Sequence, residues 1–359
     1  MQKGSKTEAF RNNGVKLKTE YYLLDSDPDE EVFSRCAEII RSGGLVAFPT
    51  ETVYGLGVNA LAGDAVPKVF EAKGRPADNP LIVHVAYPDD AESVAYTTKE
   101  YYELAERFMP GPLTVILPKK EAVPYSVTAG LDSVGIRCPS HRAAHALILA
   151  AGVPIAAPSA NASGRPSPTT AEHVLQDLDG KIDAVIDGGE CDYGVESTVI
   201  ALHGRSAEIL RPGAVTREDL LEVLDEVTVN KAVKDPSAVS GKVASPGMKY
   251  KHYAPRAEFR LVRSCGDSFI DYVNSLKGNV GAICLESETG RLACPFVYPV
   301  SDGDSVRETC HKLFSIFREA DRDGVDVLVS RLPSDEGESL ALYNRMIRAA
   351  GNRITDVDR

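Results

Sequence analysis

The sequence predicts a two-domain α/β protein. It consists of a large, twisted, mixed sheet with helices packed over it, then a smaller parallel α/β unit. Three observations carry this. Short apolar runs alternate with amphipathic stretches over about the first 200 residues. A polar, small-residue run, NKAVKDPSAVSGKVAS, then interrupts the pattern. Beyond residue 257 strand and helix signals alternate one for one. The divisions that follow are an N-terminal extension (1–25), a first domain (26–227), a connecting segment (228–257) and a second domain (258–359).

In the first domain EEVFSRCAEIIRSGG reads as an amphipathic helix, with Val32, Cys36, Ile39 and Ile40 on one face and a stop at Gly43-Gly44. LVAFPT is a buried strand, DAVPKVFEAKG a helix, LIVHVA a strand, EYYELAERFMP a helix and LTVILP a strand. VGIRCP, PIAAPS, AVIDGG, STVIAL and EILRPG follow as strands, with helices near 142–151 and 170–178. In the second domain EFRLVR, NVGAICLE and DVLVS are strands between the helices DSFIDYVNSL, SVRETCHKLFSIFREADRDG and ESLALYNRMIRAAG. This alternation is Rossmann-like. Its first turn, Ser264-Cys265-Gly266-Asp267, is not G-x-G-x-x-G, so no dinucleotide site is assigned.

Of 359 residues, 43% are hydrophobic and 26% charged, an ordinary globular composition. The net charge of −12 opposes a broad nucleic-acid-coating surface and leaves room for a small basic pocket. The seven cysteines form no C-x-x-C pair and read as free thiols in a reducing compartment. The first 20 residues hold no apolar signal run and no stretch is long enough to span a bilayer, which points to the cytoplasm.

Polar residues crowd where first-domain strands give way to loops. FPTETVYGLG sets two threonines and a glutamate before a Gly-x-Gly turn, a site for a small polar ligand or a plain crossover. In EAKGRPADNPLIVH, Lys73 and Arg75 flank Gly74 past a helix end, a phosphate clamp or two solvated charges, and His84 reads as a core histidine. Arg137 lies in an apolar strand and needs an anion, either a structural acid or a ligand carboxylate. IAAPSANASGRPSPTT leads hydroxyls and backbone donors into a helix capped by Thr169 or Thr170. DGGECDYGVESTVIALHGRSAEILRPGA offers Ser197 as a donor and Arg211 as a further cation, or a glycine-turned meander. His141 and His145 have metal-compatible spacing but no third ligand nearby, so no metal site is assigned.

Taken in order, FPTETVYGLG, KGRPADNPL, PGPLT, VGIRCP, APSANASGRPSPT, GVESTV and LRPG closely resemble the YrdC-like domain of threonylcarbamoyl-AMP synthases. SPGMKYKHYAP (245–255) resembles the linker of the family's long form, and no motif between about residues 28 and 257 departs from the pattern. The resemblance implies a cytoplasmic enzyme with a YrdC-like mixed sheet. It would make threonylcarbamoyl-AMP from L-threonine, bicarbonate and ATP with Mg²⁺, releasing pyrophosphate. The product would pass to tRNA threonylcarbamoyl-transferase proteins, direct tRNA binding being left open.

Carried over by motif, Thr52, His84, Arg137, Ala157 and Ser197 would surround threonine. Arg75, Asn79, Ser133, Ser159, Ser167, Arg211 and Tyr253 would hold ATP, with Lys73 and Arg75 as the catalytic cations. Thr50 and Asn161 are second choices. The segment 245–255 would act as a lid over the site, with Tyr253 on the nucleotide and Lys249 or Lys251 near phosphate. Two alternatives stand beside this reading. One is a carbamoyl-adenylate-forming carbamoyltransferase, whose usual acylphosphatase and zinc-finger modules the sequence lacks. The other is an RNA-binding module, which the charge opposes.

Overall fold

The computed structural model describes residues 18–24, 30–235, 253–303 and 305–358. Lys249, Lys251 and most of the segment 245–255 lie outside the described residues. The first domain runs β1 (Glu20–Leu23), α1 (Glu30–Arg41), β2 (Val46–Phe48), β3 (Gly55–Asn59), α2 (Val66–Lys73), β4 (Ile82–His84), α3 (Lys99–Phe108) and β5 (Leu113–Pro118). It continues α4 (Tyr125–Thr128), β6 (Ser133–Arg137), α5 (Arg142–Ala151), β7 (Ile155–Ala157), α6 (Ala171–Leu178), β8 (Ala184–Asp187) and β9 (Thr198–His203). It closes with β10 (Ser206–Arg211), α7 (Arg217–Leu220), β11 (Glu226–Val229) and α8 (Lys231–Lys234).

These strands form one mixed eleven-stranded sheet in the order β1-β8-β2-β3-β7-β4-β6-β5-β9-β10-β11. Helices cover both faces. Phe33 and Ile40 of α1 meet Leu147 of α5 over Phe48 and Ile155, while α2, α3 and α6 bury Val69, Phe70, Leu104 and Val174 on the opposite side. Local chemistry sets the helix ends. Thr98 and Thr170 cap α3 and α6 by accepting N–H groups from the first turn, and Gly74 ends α2 at φ 62°.

Two expectations change. The Gly-x-Gly of FPTETVYGLG is not a turn but strand β3, paired antiparallel with β2 and β7. Its glycine is steric: a Cβ on Gly57 would stand 2.9 Å from both Ile155 and Phe48 side chains. Residues 20–23, placed in an extension, instead form edge strand β1, parallel to β8.

The second domain comprises β12 (Glu258–Arg263), α9 (Ser268–Ser275), β13 (Val280–Leu285), β14 (Phe296–Val300), α10 (Ser305–Asp323), β15 (Val327–Arg331), α11 (Ser339–Ala349) and β16 (Ile354–Asp356). Its strands make a five-stranded, all-parallel sheet in the order β14-β13-β15-β12-β16. Helices α10 and α11 pack against the first domain. The backbones come so close that a Cβ on Gly194 would lie 2.3 Å from the carbonyl oxygen of His311. All seven cysteines are free. Among the described residues no helix is long and apolar enough to cross a membrane.

Candidate functional site

The strand ends of the first domain surround a cleft of about 730 Å³, mouth included, walled by residues from eight separate stretches of chain. Five cationic side chains line it: Lys73, Arg75, Arg137, Arg165 and Arg211. His84, Ala157, Ser159, Tyr253 and the second choices Thr50 and Asn161 share the wall. Thr52, Asn79, Ser133, Ser167 and Ser197 do not line it directly. Thr52, Ser167 and Ser197 bond to residues that do.

Arg137 sits at the C-terminal end of β6. Its Nη2 donates to Glu51 Oε1 at 2.7 Å and to Thr52 Oγ1 at 2.9 Å. Glu51 also accepts the Ser140 N–H, so the anion that this buried arginine requires is partly structural. Among the described residues its Nε is buried with no hydrogen-bond partner, as are both amide atoms of Asn79. Buried donors left in this state fit an incoming ligand acceptor.

His84 is 3% exposed and pairs edge-on with Phe48. Burial, then the Arg137 charge, pushes its pKa down to about 3, so the ring is neutral. Its Nδ1 lies 3.3 Å from the Ile155 carbonyl, which can only accept. Nδ1 therefore carries the proton and Nε2 keeps its lone pair. The sequence reading of His84 as a core histidine is correct for burial and incomplete for position, because the ring also faces the cleft.

Lys73, at the last turn of α2, donates to the carbonyls of Ser159 and Asn161, the latter at 2.6 Å. It ties the loop after β7 to the helix end. Burial and the neighbouring Arg75 hold its pKa well below the usual lysine value. The same loop is stitched to β3 by Ala160 N–H to Tyr54 O (2.8 Å) and Leu56 N–H to Pro158 O (2.8 Å). Arg211, at the end of β10, donates through Nε to Ser197 O and through Nη2 to Ser197 Oγ. Ser197 Oγ also bonds Thr114, which ties β5 to this network. Burial lowers the Arg211 pKa to about 10, which leaves it cationic at neutral pH.

Four groups escaped the sequence reading. Glu196 lines the cleft, accepts Ser167 Oγ–H, and pairs with Arg345 of α11 at 2.7 Å. Arg165 also lines the cleft, and Arg318 of α10 reaches Asp177 at 2.8 Å behind the same loop. Arg345 is fully buried on the apolar face marked by Leu342, Met346 and Ala349. An arginine in phase with that stripe was the available signal. Tyr253 stacks on Phe314 with centroids 5.4 Å apart, and the Arg345 guanidinium lies over its ring. His141 caps α5 through Nδ1, and His145 packs edge-on against Tyr87.

Such a cleft, positive and hydroxyl-lined at the carboxyl ends of a mixed sheet, belongs to an α/β enzyme that binds small anionic molecules. Comparison with known proteins narrows this. Residues 38–213 match the family model Sua5_yciO_yrdC, described as "Telomere recombination". Residues 215–351 match "Threonylcarbamoyl-AMP synthase, C-terminal domain". The threonylcarbamoyl-AMP synthase of Pyrococcus abyssi is 47% identical over 89% of this chain and 94% of its own length. That of Bacillus subtilis is 41% identical over 94% and 99%. The crystal structure of P. abyssi Sua5 complexed with L-threonine superposes with a TM-score of 0.87 at 45% identity, covering 94% of this chain and all of that one. The chain belongs to the threonylcarbamoyl-AMP synthase family and is an enzyme of tRNA modification.

Proposed function

We propose that the cleft condenses L-threonine, bicarbonate and ATP into threonylcarbamoyl-AMP and pyrophosphate. The observation that carries the reading is the convergence of Lys73, Arg75, Arg137, Arg165 and Arg211 on one cleft that also presents a neutral imidazole. The threonine amine attacks bicarbonate, forming the N–C bond of a carbamate with loss of water. A carbamate oxygen then attacks the ATP α-phosphorus in line, and the α–β bridging oxygen leaves with pyrophosphate.

In this reading Arg137 Nε takes the threonine carboxylate, framed by Thr52, Ser197 and the backbone at Ala157. The Nε2 lone pair of His84 accepts an N–H of the amine and aims the nitrogen at bicarbonate. Arg75 and Arg211 face the phosphates, Lys73 holds the loop that carries Ser159 and Asn161, and Ser167 acts through Glu196. Asn79 offers two buried polar atoms, Ser133 opens β6, and Tyr253 offers a ring beside the mouth. The threonine-bound relative supports the amino-acid half of this site.

Mg²⁺ accompanies ATP here. Among the described residues no group of three or more His, Cys, Asp or Glu is placed to hold a metal, and Glu51 and Glu196 already pair with arginine. The described residues build no carboxylate cage, so the ion would enter with the phosphates of ATP. The adenylate would then be consumed by separate threonylcarbamoyl-transferase proteins acting on tRNA.

The test is incubation with ATP, L-threonine and labelled bicarbonate, following pyrophosphate and a labelled adenylate. Release of pyrophosphate should require both threonine and bicarbonate. Release that proceeds without either one overturns the reading.

A further inference from the structure

The cleft is made to attract phosphate, yet two carboxylates stand beside it. Glu196 lines it, and Asp177 lies behind the loop 159–168, accepting the Ala162 N–H at 3.1 Å. Both act on Lys73 electrostatically, so both are near enough for their charge to be felt in the cleft. Left uncompensated, each would repel a triphosphate through a poorly screened interior.

Each is met by a buried arginine from the second domain, and Asp177 also by Arg165 of the first at 3.4 Å. Arg345 of α11 is 0% exposed. Its Nε donates to Glu196 Oε2 at 2.7 Å and its Nη2 to the Pro212 carbonyl at 3.0 Å. Arg318 of α10 grips Asp177 with both terminal nitrogens, at 3.2 and 2.8 Å, and donates to the Pro166 carbonyl at 2.6 Å. Burial disfavours the Glu196 carboxylate, yet Arg345 and Arg211 outweigh it and hold the group ionised.

We infer that the second domain acts on nucleotide binding in the first. Arg345 and Arg318 are positioning residues that cancel the Glu196 and Asp177 charges and fix the loop that carries Ser159 and Ser167. The inference rests on the reading that the cleft holds ATP. It gives the α/β domain a specific electrostatic task, exercised from behind the wall and without contact with substrate.

Charge cancellation has a signature that a purely structural role lacks. Removing both members of the pair restores the field, while removing the arginine alone does not. Steady-state kinetics would be measured for full-length wild type, Arg345→Met, Glu196→Gln and the double variant, each checked by thermal unfolding. Arg345→Met should raise KM for ATP about tenfold and change KM for threonine less than about twofold. The double variant should return KM for ATP to within about threefold of wild type. Glu196→Gln alone keeps an acceptor oxygen for Ser167 and removes the negative charge, so it should lower KM for ATP.

Should Arg345→Met fail to fold, the double and Glu196→Gln variants decide. An unchanged or raised KM for ATP in Glu196→Gln, or a double variant no better than about tenfold worse than wild type, overturns the inference. Equal KM values for ATP in Arg345→Met and wild type overturn it too. If wild type neither binds nor consumes ATP, the nucleotide reading has failed first. If wild type uses ATP normally and the variants behave as it does, only the second-domain role falls.

Discussion

Burial holds the imidazole of His84 neutral, and that ties the fold to pH. An unfolded histidine titrates near 6.5, whereas folded His84 titrates near 3. Between those values the unfolded chain binds the extra proton. The stability that neutral His84 represents is therefore full above pH 6.5 and is lost as pH falls toward 3. His173, lowered to about 4 chiefly by burial, adds in the same direction. Unfolding free energy should decline below pH 6.5 by on the order of a few kcal/mol. His84→Gln should flatten that decline, and an unaltered slope would show that His84 is not held neutral. Arg75 makes the complementary point for charge. It lines the cleft past the end of α2, so Arg75→Ala should raise KM for ATP by about one to two orders of magnitude. Unchanged kinetics would remove it from the site. Both residues stood out in the sequence. The pairing of Arg137 with Glu51 did not, because the two are 86 positions apart and meet only once β6 is in the sheet.

At the scale of elements, glycines separate steric need from conformational need. Gly213 follows β10, and a Cβ there would lie 2.4 Å from Thr198 N and 2.7 Å from Glu196 O. Gly213→Ala must push the 196–198 strap aside, moving Glu196 and Ser197 together. Gly74 has φ 62° and open space around it, so Gly74→Ala pays only left-handed strain of about 1 kcal/mol. The expected result is a much lower melting temperature and lost activity for Gly213→Ala and a small shift for Gly74→Ala. Equal melting temperatures would contradict the steric argument. Most elements were readable from apolar periodicity, including α1, α3, α10 and strands β12, β13 and β15 of the parallel sheet, whereas β14 was not read. GLGVN was not, because two glycines in one strand look like a turn until Phe48 and Ile155 are seen filling the space. Ile354–Asp356 was missed because an exposed edge strand has little apolar pattern to read.

For the molecule as a whole, the two sheets are separate but their buried charges are not. Arg318–Asp177 and Arg345–Glu196 cross the domain boundary with almost no exposure, and opening that boundary would leave charges to be hydrated on both sides. Thermal unfolding should therefore show one cooperative transition, with cleft and parallel sheet lost together. Two resolved transitions would mean that the domains are energetically independent. This coupling was illegible in the sequence for a plain reason. Partners 141 and 149 residues apart share no local pattern, so the phase of Arg345 with the apolar stripe could mark it as buried but could not name Glu196.

The position of α11 near the end of the chain also gives the cleft an order of assembly. Polypeptides are made from the N-terminus, so every residue lining the cleft leaves the ribosome before Arg345 does. A nascent first domain carries Glu196 with its partner still unmade. Helix α11 supplies the countercharge, so the site is completed only when synthesis has passed the second domain.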